Sequence, residues 1–373
     1  MFLALAEIRR AKARYLLLAG AVGLLAFLIL FQQVLLGGLI TDFIGALRNQ
    51  SAEVLVFSDQ ARRNVEGSAI APEQVAAVGA VDGVARAEPI GENTFTVIAD
   101  DEQVDAVVFG IEPGGPGTPT TLTEGRLPGA DGEGVASSAD RDAGFGIGDV
   151  VTIAPEGAEI EIVGLAKDVR YSVAPTIFVP FATWSESVLA ANPDARGVLP
   201  SLVGVEPADG VDARTLAERI TAEVDGVEAL TRDTAVAESP GVSSVQQSFS
   251  IVLGLAYLVV TLVTGFFFLI LTVQKAGSLT LLRAIGAPRG ALVKALLVQV
   301  VLVLVAGVAV GALLAWLLTR VASTGVSLSL TPTTVLVTGS VLLVLAIVAS
   351  VVAIRRVLRI DPIEATTGAG VHL

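Results

Sequence analysis

Cysteine is absent from this chain of 373 residues, which also contains one histidine, one methionine and only four lysines. Without cysteine the chain forms no disulfide bond, and with a single histidine it lacks the ligands for a Cys/His zinc site. No lysine is preceded by glycine and followed by serine or threonine, so the chain has no P-loop. It therefore does not hydrolyse ATP by that route, and any transport that it performs needs an energy source on another chain.

Charged residues are also scarce, and they are missing from four long apolar runs. They make up 16% of the chain, against about 25% in soluble domains, and the mean hydropathy is +0.73. The runs are residues 15–40, 249–274, 295–319 and 335–354. Each has the roughly 20 residues that a helix needs to cross a hydrocarbon core about 30 Å thick. The sequence predicts four transmembrane helices, and the lack of Asp, Glu, His, Lys and Arg inside them argues against a proton relay.

Basic residues beside these runs predict the orientation of the chain. They precede the first run, separate the second from the third and follow the fourth: Arg9, Arg10, Lys12, Arg14; Lys275, Arg283, Arg289, Lys294; Arg355, Arg356, Arg359. The positive-inside rule then places both termini and residues 275–294 in the cytoplasm. The expected location of the chain is the cell (inner) membrane. The first run exceeds the roughly 7–15 apolar residues of a signal peptide, so we expect an uncleaved anchor. Residues 1–14 are predicted to form a cytoplasmic elbow and residues 355–373 a cytoplasmic tail.

Residues 41–248 are predicted to form one large extracytoplasmic domain between helices 1 and 2. They contain 34 acidic and 12 basic residues, a net charge of −22, whereas the whole chain carries −13. Neutralising phosphates requires Lys and Arg, so an acidic domain argues against nucleic acid as a partner. At this length the segment can form a hydrophobic core of its own.

The pattern inside this domain indicates two α/β parts around a β-rich insertion. Asp212 is predicted to cap a helix whose apolar face includes Leu216. The phrase Val-Asp-Gly-Val follows a predicted helix twice, at 81–84 and 224–227, which favours two related halves; chance recurrence of common residues is the alternative. At about 100–200, apolar alternation bounded by Gly and Pro predicts strands. The predicted fold class is an α-helical membrane protein with four transmembrane helices and an inserted α+β extracytoplasmic domain.

The connection between the second and third runs carries the most informative pattern. Leu279, Leu282 and Ile285 share one face of a short predicted helix, with Lys275 and Arg283 beside them. An apolar-faced helix on the cytoplasmic side can dock into a groove on a partner protein. The alternative is an ordinary amphipathic turn at the membrane interface, whose cations reach the headgroups.

Two stretches of the chain resemble FtsX/MacB-type ABC transporter permeases. They are Gln274-Lys275 with Leu282-Arg283-Ala284-Ile285-Gly286-Ala287, and the ending Arg355–Ala365. The opening Met1–Leu5 and the stretch Phe266–Lys275 look most like the DevC and haem-exporter branch of that family. The topology also resembles the family's, so the likeness covers essentially the whole chain. One departure is Gln299, where the family often has Glu.

The resemblance implies that Lys275, Leu279, Leu282, Arg283 and Ile285 couple the chain to a separate ATPase. It implies two such permeases with two ATPase subunits in a lipid membrane, and an outer domain similar to the family's periplasmic core. The chain itself would be no enzyme, would hold no cofactor, and would export an amphipathic molecule, with haem as the leading candidate. The rival function is a mechanotransmitter, in which the same ATP cycle activates an extracytoplasmic enzyme and no substrate crosses. A stand-alone receptor or adhesion protein is a third alternative, which the resemblance disfavours.

The haem hypothesis directs attention to the three tyrosines of the chain. Protein ligands of haem iron are usually His, Cys, Met or Tyr. Cysteine is absent, His372 lies in the predicted tail, and the methionine is Met1. Tyr15 has the position of an interface anchor, which leaves Tyr171 and Tyr257 as candidate substrate-binding residues. The alternatives are a half-buried tyrosine at a strand end for Tyr171 and an aromatic-belt residue for Tyr257.

Gly307 and Gly311 form a small-xxx-small pair in the third apolar run. Two such residues one turn apart let another helix approach closely. The alternative is that they are simply two of the glycines common in membrane helices. The sequence therefore predicts a helix-packing site here, without identifying the partner helix.

Overall fold

The computed structural model describes residues 12–154, 157–192, 197–274, 277, 288–321 and 328–358. The described chain divides into two compact units. The α/β unit comprises Gly37–Gln246, and the helical unit comprises described residues before Gly37 and from Gln247 onwards.

The α/β unit contains both helices and strands, whereas the regular elements of the helical unit are helices alone within the described residues. The helices are α1 (Lys12–Arg48), α2 (Pro72–Gly79), α3 (Phe181–Ala191), α4 (Ala213–Glu223), α5 (Arg232–Glu238), α6 (Val242–Gln274), α7 (Arg289–Val321) and α8 (Pro332–Leu358). The strands are β1 (Val54–Ser58), β2 (Val84–Ala99), β3 (Glu102–Ile111), β4 (Leu122–Gly125), β5 (Glu133–Ser137), β6 (Val150–Ile153), β7 (Glu159–Ala166), β8 (Thr176–Pro180), β9 (Leu202–Pro207) and β10 (Val227–Thr231).

Four of the described helices, α1, α6, α7 and α8, are long and apolar enough to cross a membrane. Each extends past the apolar run predicted for it; α1, for example, continues for eight residues beyond residue 40. It can continue because Thr41–Arg48 contains no proline, the residue that removes a helical hydrogen bond and clashes with the preceding turn. The predicted fold class is confirmed: a membrane protein with four apolar helices and an α/β domain between the first two.

One part of the α/β unit is a four-stranded antiparallel sheet in the order β10-β1-β9-β2. It consists of two strand–helix–strand segments, β1-α2-β2 and β9-α4-β10, arranged as in ferredoxin-like folds. The repeated Val-Asp-Gly-Val phrases occupy equivalent turns, from α2 to β2 and from α4 to β10. Both turns need a left-handed residue, supplied by Gly83 (φ +95°) and Gly226 (φ +77°).

The second part is a closed β-barrel. It shares β2 with the four-stranded sheet, since this strand is long enough to belong to both parts. Residues 84–90 of β2 pair with β9, whereas residues 91–99 pair with β3. From β3 the ladder passes through β8, β5, β7 and β6 and returns to β2. Trp184 of α3 lies at the point where β2 changes partners, which we call the bend of β2, and a Cβ on Gly91 or Gly110 would overlap its ring. Glycine at these two positions thus permits the close packing of α3.

The predicted cap at Asp212 is confirmed and fixes the start of α4. Its carboxylate accepts a hydrogen bond from the backbone N–H of Thr215 at 3.0 Å. The pKa of Asp212 is lowered mainly by this hydrogen bond and next by the hydrogen bond from the Thr215 hydroxyl. Leu216 and Ile220 are fully buried against the ferredoxin-like sheet, so the predicted apolar face is also confirmed.

Candidate functional site

The predicted ATPase-coupling residues lie outside the described part of the chain. They are Lys275, Leu279, Leu282, Arg283 and Ile285. Their common helical face therefore stays a prediction from the sequence.

Gly307 and Gly311 of α7 pack against α1 in the helical unit. A Cβ on Gly307 would lie 2.6 Å from Cγ1 of Val22, and one on Gly311 would lie 2.8 Å from the carbonyl oxygen of Gly23. Gly23 in turn faces the Gly307 carbonyl, so small residues on both helices allow the backbones to meet. The close contact identifies α1 as the partner helix of the Gly307–Gly311 packing site, which the sequence alone did not identify.

Tyr257 of α6 belongs to a polar group that joins three helices of the helical unit. The side-chain amide of Gln33 on α1 donates to the Tyr257 hydroxyl at 3.3 Å and to the Thr338 hydroxyl of α8 at 3.0 Å. Tyr257 is half-buried and Thr338 is fully buried. Polar side chains inside apolar helices are costly, and they often mark substrate pathways. This group is a hydrogen-bonding site between side chains of three apolar helices.

Tyr171, the second candidate, lies in the core of the α/β unit. Only 7% of it is exposed, and its ring packs edge-on against Phe109 at a centroid distance of 5.5 Å. Burial, then the charges of Glu92 and Glu66, raise the pKa of Tyr171 well above its usual value. Both effects oppose the phenolate that would bind ferric iron. Iron ligation by Tyr171 therefore requires the side chain to leave this core.

The loop that carries Tyr171 is held against the last turns of α1. Three backbone hydrogen bonds join them: Ala46 N–H to Arg170 O (3.1 Å), Ser172 N–H to Phe43 O (3.0 Å) and Val173 N–H to Asp42 O (2.9 Å). The approach is close enough that a Cβ on Gly45 would overlap the carbonyl oxygen of Asp168. We call this contact, between residues 42–46 and 168–173, the α1 clamp.

A buried cation reinforces the α1 clamp. Nε of Arg170 donates to Asp140 at 3.0 Å, a second nitrogen also pairs with Asp140, and Nη1 lies 3.7 Å from Asp42. Burial alone would lower the pKa of Arg170, but the hydrogen bond and charge of Asp140, with the charge of Asp42, raise it. Removing one partner of such a buried pair costs about 3–5 kcal/mol, because a desolvated charge is left behind.

The same loop contains backbone strain. Ser172 (φ +51°) and Val173 (φ +60°) are both left-handed, and for a β-branched residue this conformation is an outlier. The two hydrogen bonds to α1 hold these residues in place. Strain of this kind persists only where the surroundings over-determine it, and it is concentrated at functional sites.

An apolar pocket of about 210 Å³ lies beside the α1 clamp, within the α/β unit. It is lined by the end of α1, the strained loop and the start of α6: Leu39, Ile40, Phe43, Val173, Gly241, Val242 and Val245. Among the described residues, no charged or hydrogen-bonding side chain lines it. Its chemistry therefore suits hydrocarbon alone.

Glu92 is a buried acid at the bend of β2. It is 4% exposed, and its Oε1 has no hydrogen-bond partner among the described residues. Burial, and secondarily the charge of Glu66, raises the pKa of Glu92 to about 7. The backbone of Glu92 exchanges hydrogen bonds with the Ser201 hydroxyl, which fixes the bend.

Sequence reasoning missed the α1 clamp, the pocket and Glu92. One signal was available for the clamp, because an isolated glycine such as Gly45 inside a helix often marks a close approach by another backbone. No such signal was available for Glu92, because the position at which β2 bends decides which of its side chains point inward. Among the described residues, no group of three or more His, Cys, Asp or Glu is arranged to hold a metal ion.

Comparison with known proteins identifies similar sequences over the whole chain. Residues 250–362 match the FtsX-like permease C-terminal family. A Staphylococcus haemolyticus (strain JCSC1435) protein named as the hemin transport system permease protein HrtB is 23% identical over 373 residues, covering 99% of each chain. The uncharacterized ABC transporter permease Rv0072 of Mycobacterium tuberculosis (strain ATCC 25618 / H37Rv) is 24% identical over 370 residues, again covering 99% of each.

Two solved structures align with about half of the chain. The periplasmic region of MacB from Actinobacillus actinomycetemcomitans covers 52% of this chain and 94% of its own, with 16% identity and a TM-score of 0.36. The extracellular domain of the noncanonic ABC-type transporter YknZ from Gram-positive bacteria covers 48% and 99%, with 15% identity and a TM-score of 0.34.

Proposed function

Residues 250–362 are an FtsX-like permease domain, and we propose on that premise that the chain is the permease subunit of an ABC exporter. ATP is hydrolysed on a separate subunit, since this sequence has no P-loop. The similarity to an ABC transporter permease over 99% of both chains supports this assignment. The complex contains two permeases and two ATPases in the cell membrane, with both termini cytoplasmic and residues 41–248 outside.

The exported molecule is amphipathic, and haem is the leading candidate. The observation that carries this proposal is the polar group of Gln33, Tyr257 and Thr338 inside apolar helices. A ligand with a polar centre and a large apolar surface would find hydrogen bonds there without leaving hydrocarbon. The name of the staphylococcal relative, hemin transport system permease, supports haem over other amphipathic molecules.

A haemin titration of the detergent-purified complex tests this proposal. We expect a saturable Soret band that is weakened or lost in Tyr257→Phe and retained in Tyr15→Phe, the matched control near the start of α1, whose hydroxyl donates to Gln299 instead. Metal-free protoporphyrin separates iron ligation from capture of the flat ring, because it lacks the metal. Tyr171→Phe tests the second candidate, whose burial predicts no change in the band. Absence of any saturable band would exclude haem and leave other amphipathic substrates.

The ATPase-coupling face is proposed from the sequence alone. Leu282→Asp and Ile285→Asp place a charge on that face, so we expect loss of ATPase co-purification. In a helix Thr280 lies on the opposite face, and Thr280→Asp is therefore the matched control. Normal ATPase association of both aspartate variants would contradict this assignment of the face.

A mechanotransmitter is the second candidate function, and the α1 clamp favours it. Three backbone hydrogen bonds and a buried ion pair hold the last turns of α1 within the α/β unit. A helix held in this way is suited to transmit force. The two functions differ in what stimulates ATP hydrolysis. An exporter in proteoliposomes responds to its small amphipathic substrate, whereas a mechanotransmitter responds to an extracytoplasmic enzyme and to no small molecule.

A further inference from the structure

The apolar pocket beside the α1 clamp has no part in the proposed path of the substrate, yet it is open at the surface. Val173 and Val245 on its lining are 44% and 39% exposed. Scattered exposed valines are common, but here they border a concave site of about 210 Å³ whose described lining has no polar side chain. In water such a surface would be unfavourable, so an apolar occupant or surrounding is expected.

The position of the pocket along two helices indicates which apolar phase it meets. Leu39 and Ile40 are the last residues of the first apolar run, and α1 continues through them without a break. Val245 lies four residues before the second run, which is about 6 Å along α6. On the proposed topology, which this inference requires, both helices bring the pocket to the outer boundary of the hydrocarbon core.

Two backbone conformations maintain the pocket. Val173 presents its side chain from a left-handed conformation (φ +60°) that valine rarely adopts. Gly241 has φ +88°, and a Cβ added there would lie 3.6 Å from Cζ of Phe43, inside the lining. A relaxed loop at Val173 would remove one wall of the pocket. The strain is therefore linked to the pocket and not only to the α1 clamp.

Size and charge restrict the occupant. About 210 Å³ is less than the roughly 300–1,000 Å³ of pockets that bury a drug-sized ligand, so the pocket can enclose part of a hydrocarbon chain but not a whole molecule of that size. Asp42, the charged residue between Ile40 and Phe43 on α1, is fully buried and faces Arg170 instead. Within the described part of the chain, the lining therefore offers no charge to a headgroup. One flexible hydrocarbon chain satisfies both restrictions.

We propose that this pocket binds a single acyl chain of an outer-leaflet phospholipid, while the headgroup stays outside. The chain fills the space between α1, α6 and the Val173 loop. It fastens the base of the α/β unit to the membrane surface at the α1 clamp. Lipid is thus a structural ligand of this chain, separate from whatever the complex exports.

Photolabelling of the full chain in phospholipid nanodiscs tests the proposal. A phospholipid with a diazirine near the middle of one acyl chain is expected to label peptides that contain residues 39–43 and 241–245. Val245→Trp places a larger side chain in the pocket from a partly exposed position of α6. In this variant, labelling of those two peptides by the acyl-chain probe should fall about tenfold, because losing the burial of two methylene groups weakens binding by about that factor. Val252→Trp, on the same helix but outside the pocket, is the matched control and should leave labelling unchanged.

Each other result overturns the proposal in a distinct way. Equal labelling of both tryptophan variants would mean that the lipid touches α6 only from the bulk bilayer. Labelling by a headgroup diazirine but not by the acyl probe would exclude a hydrocarbon occupant. A photo-crosslink from benzoylphenylalanine at residue 245 to another segment of the chain or to a second copy would show that protein fills the site. Haemin binding and ATPase stimulation are measured on the same samples, so failure of the proposed export is seen independently of lipid labelling.

Discussion

Replacing Glu92 by glutamine should stabilise the α/β unit at neutral and alkaline pH but not in acid. The wild-type carboxyl is 4% exposed, and burial raises its pKa from 4.5 to about 7. Because the folded protein holds this proton more tightly than the unfolded chain, the stabilising contribution is complete below about pH 4.5 and is lost as the pH rises to about 7. A difference of about 2.5 pKa units corresponds to about 3 kcal/mol as an upper bound.

Trp184 offers a direct reporter of this region, since its ring covers Gly91 next to Glu92. The other tryptophan is Trp316, so a Trp316→Phe background isolates the signal. Urea unfolding of the full chain in detergent is then followed by Trp184 fluorescence at about pH 4.5 and about pH 8. Glu92→Gln should gain stability over the parent only at the higher pH. Glu102→Gln, an exposed acid on the paired strand β3, is the control.

Two results would refute this reasoning. An equal difference between Glu92→Gln and the parent at both pH values would mean that amide and acid pack differently, with no role for charge. No difference at either pH would mean that water or a cation reaches Oε1 and that the carboxyl titrates normally. A pH-dependent gain in Glu102→Gln of the same size would show that general charge repulsion, rather than burial, is responsible.

Three further predictions concern close packing and capping. Gly45→Ala should destabilise the α/β unit by about 1–3 kcal/mol in urea unfolding, because its Cβ overlaps a carbonyl, whereas Gly37→Ala, with open space around it, should not. Gly311→Ala should separate α7 from α1 and lower the detergent melting temperature, and Gly20→Ala should leave it unchanged. Asp212→Ala should lower the stability of the α/β unit at neutral pH, and the difference should disappear in acid as the wild-type carboxylate is protonated.

Much of the architecture could be predicted because its causes are local in sequence. The four apolar helices follow from runs of uncharged residues, and the start of α4 follows from Asp212 and the apolar residues after it. The β-rich insertion was visible as alternation, but closure of its strands into a barrel was not. Closure depends on β2 changing partners at Gly91, and a single strand's pattern does not encode a change of partner.

The candidate site was predicted less well, for the same reason. Tyr171 and Tyr257 were selected by chemical type, and nothing near them in sequence distinguishes a core ring from one beside polar groups. In the fold, Tyr171 contacts Phe109, and Tyr257 receives a hydrogen bond from Gln33 on another helix. Only Tyr257 is therefore placed where a ligand within the helical unit could reach it without unpacking a core.

The sequence by itself determined that this chain has four apolar helices, an acidic α+β domain between the first two and no P-loop, because each depends on composition along a continuous stretch. The tertiary structure decided which groups lose water and which backbones meet. It buried Glu92 with no partner for Oε1 among the described residues, enclosed Arg170 between Asp42 and Asp140, and forced Val173 into a left-handed conformation beside α1. Desolvation, ion pairing and strain arise from neighbours distant in sequence, so they exist only once the chain has folded.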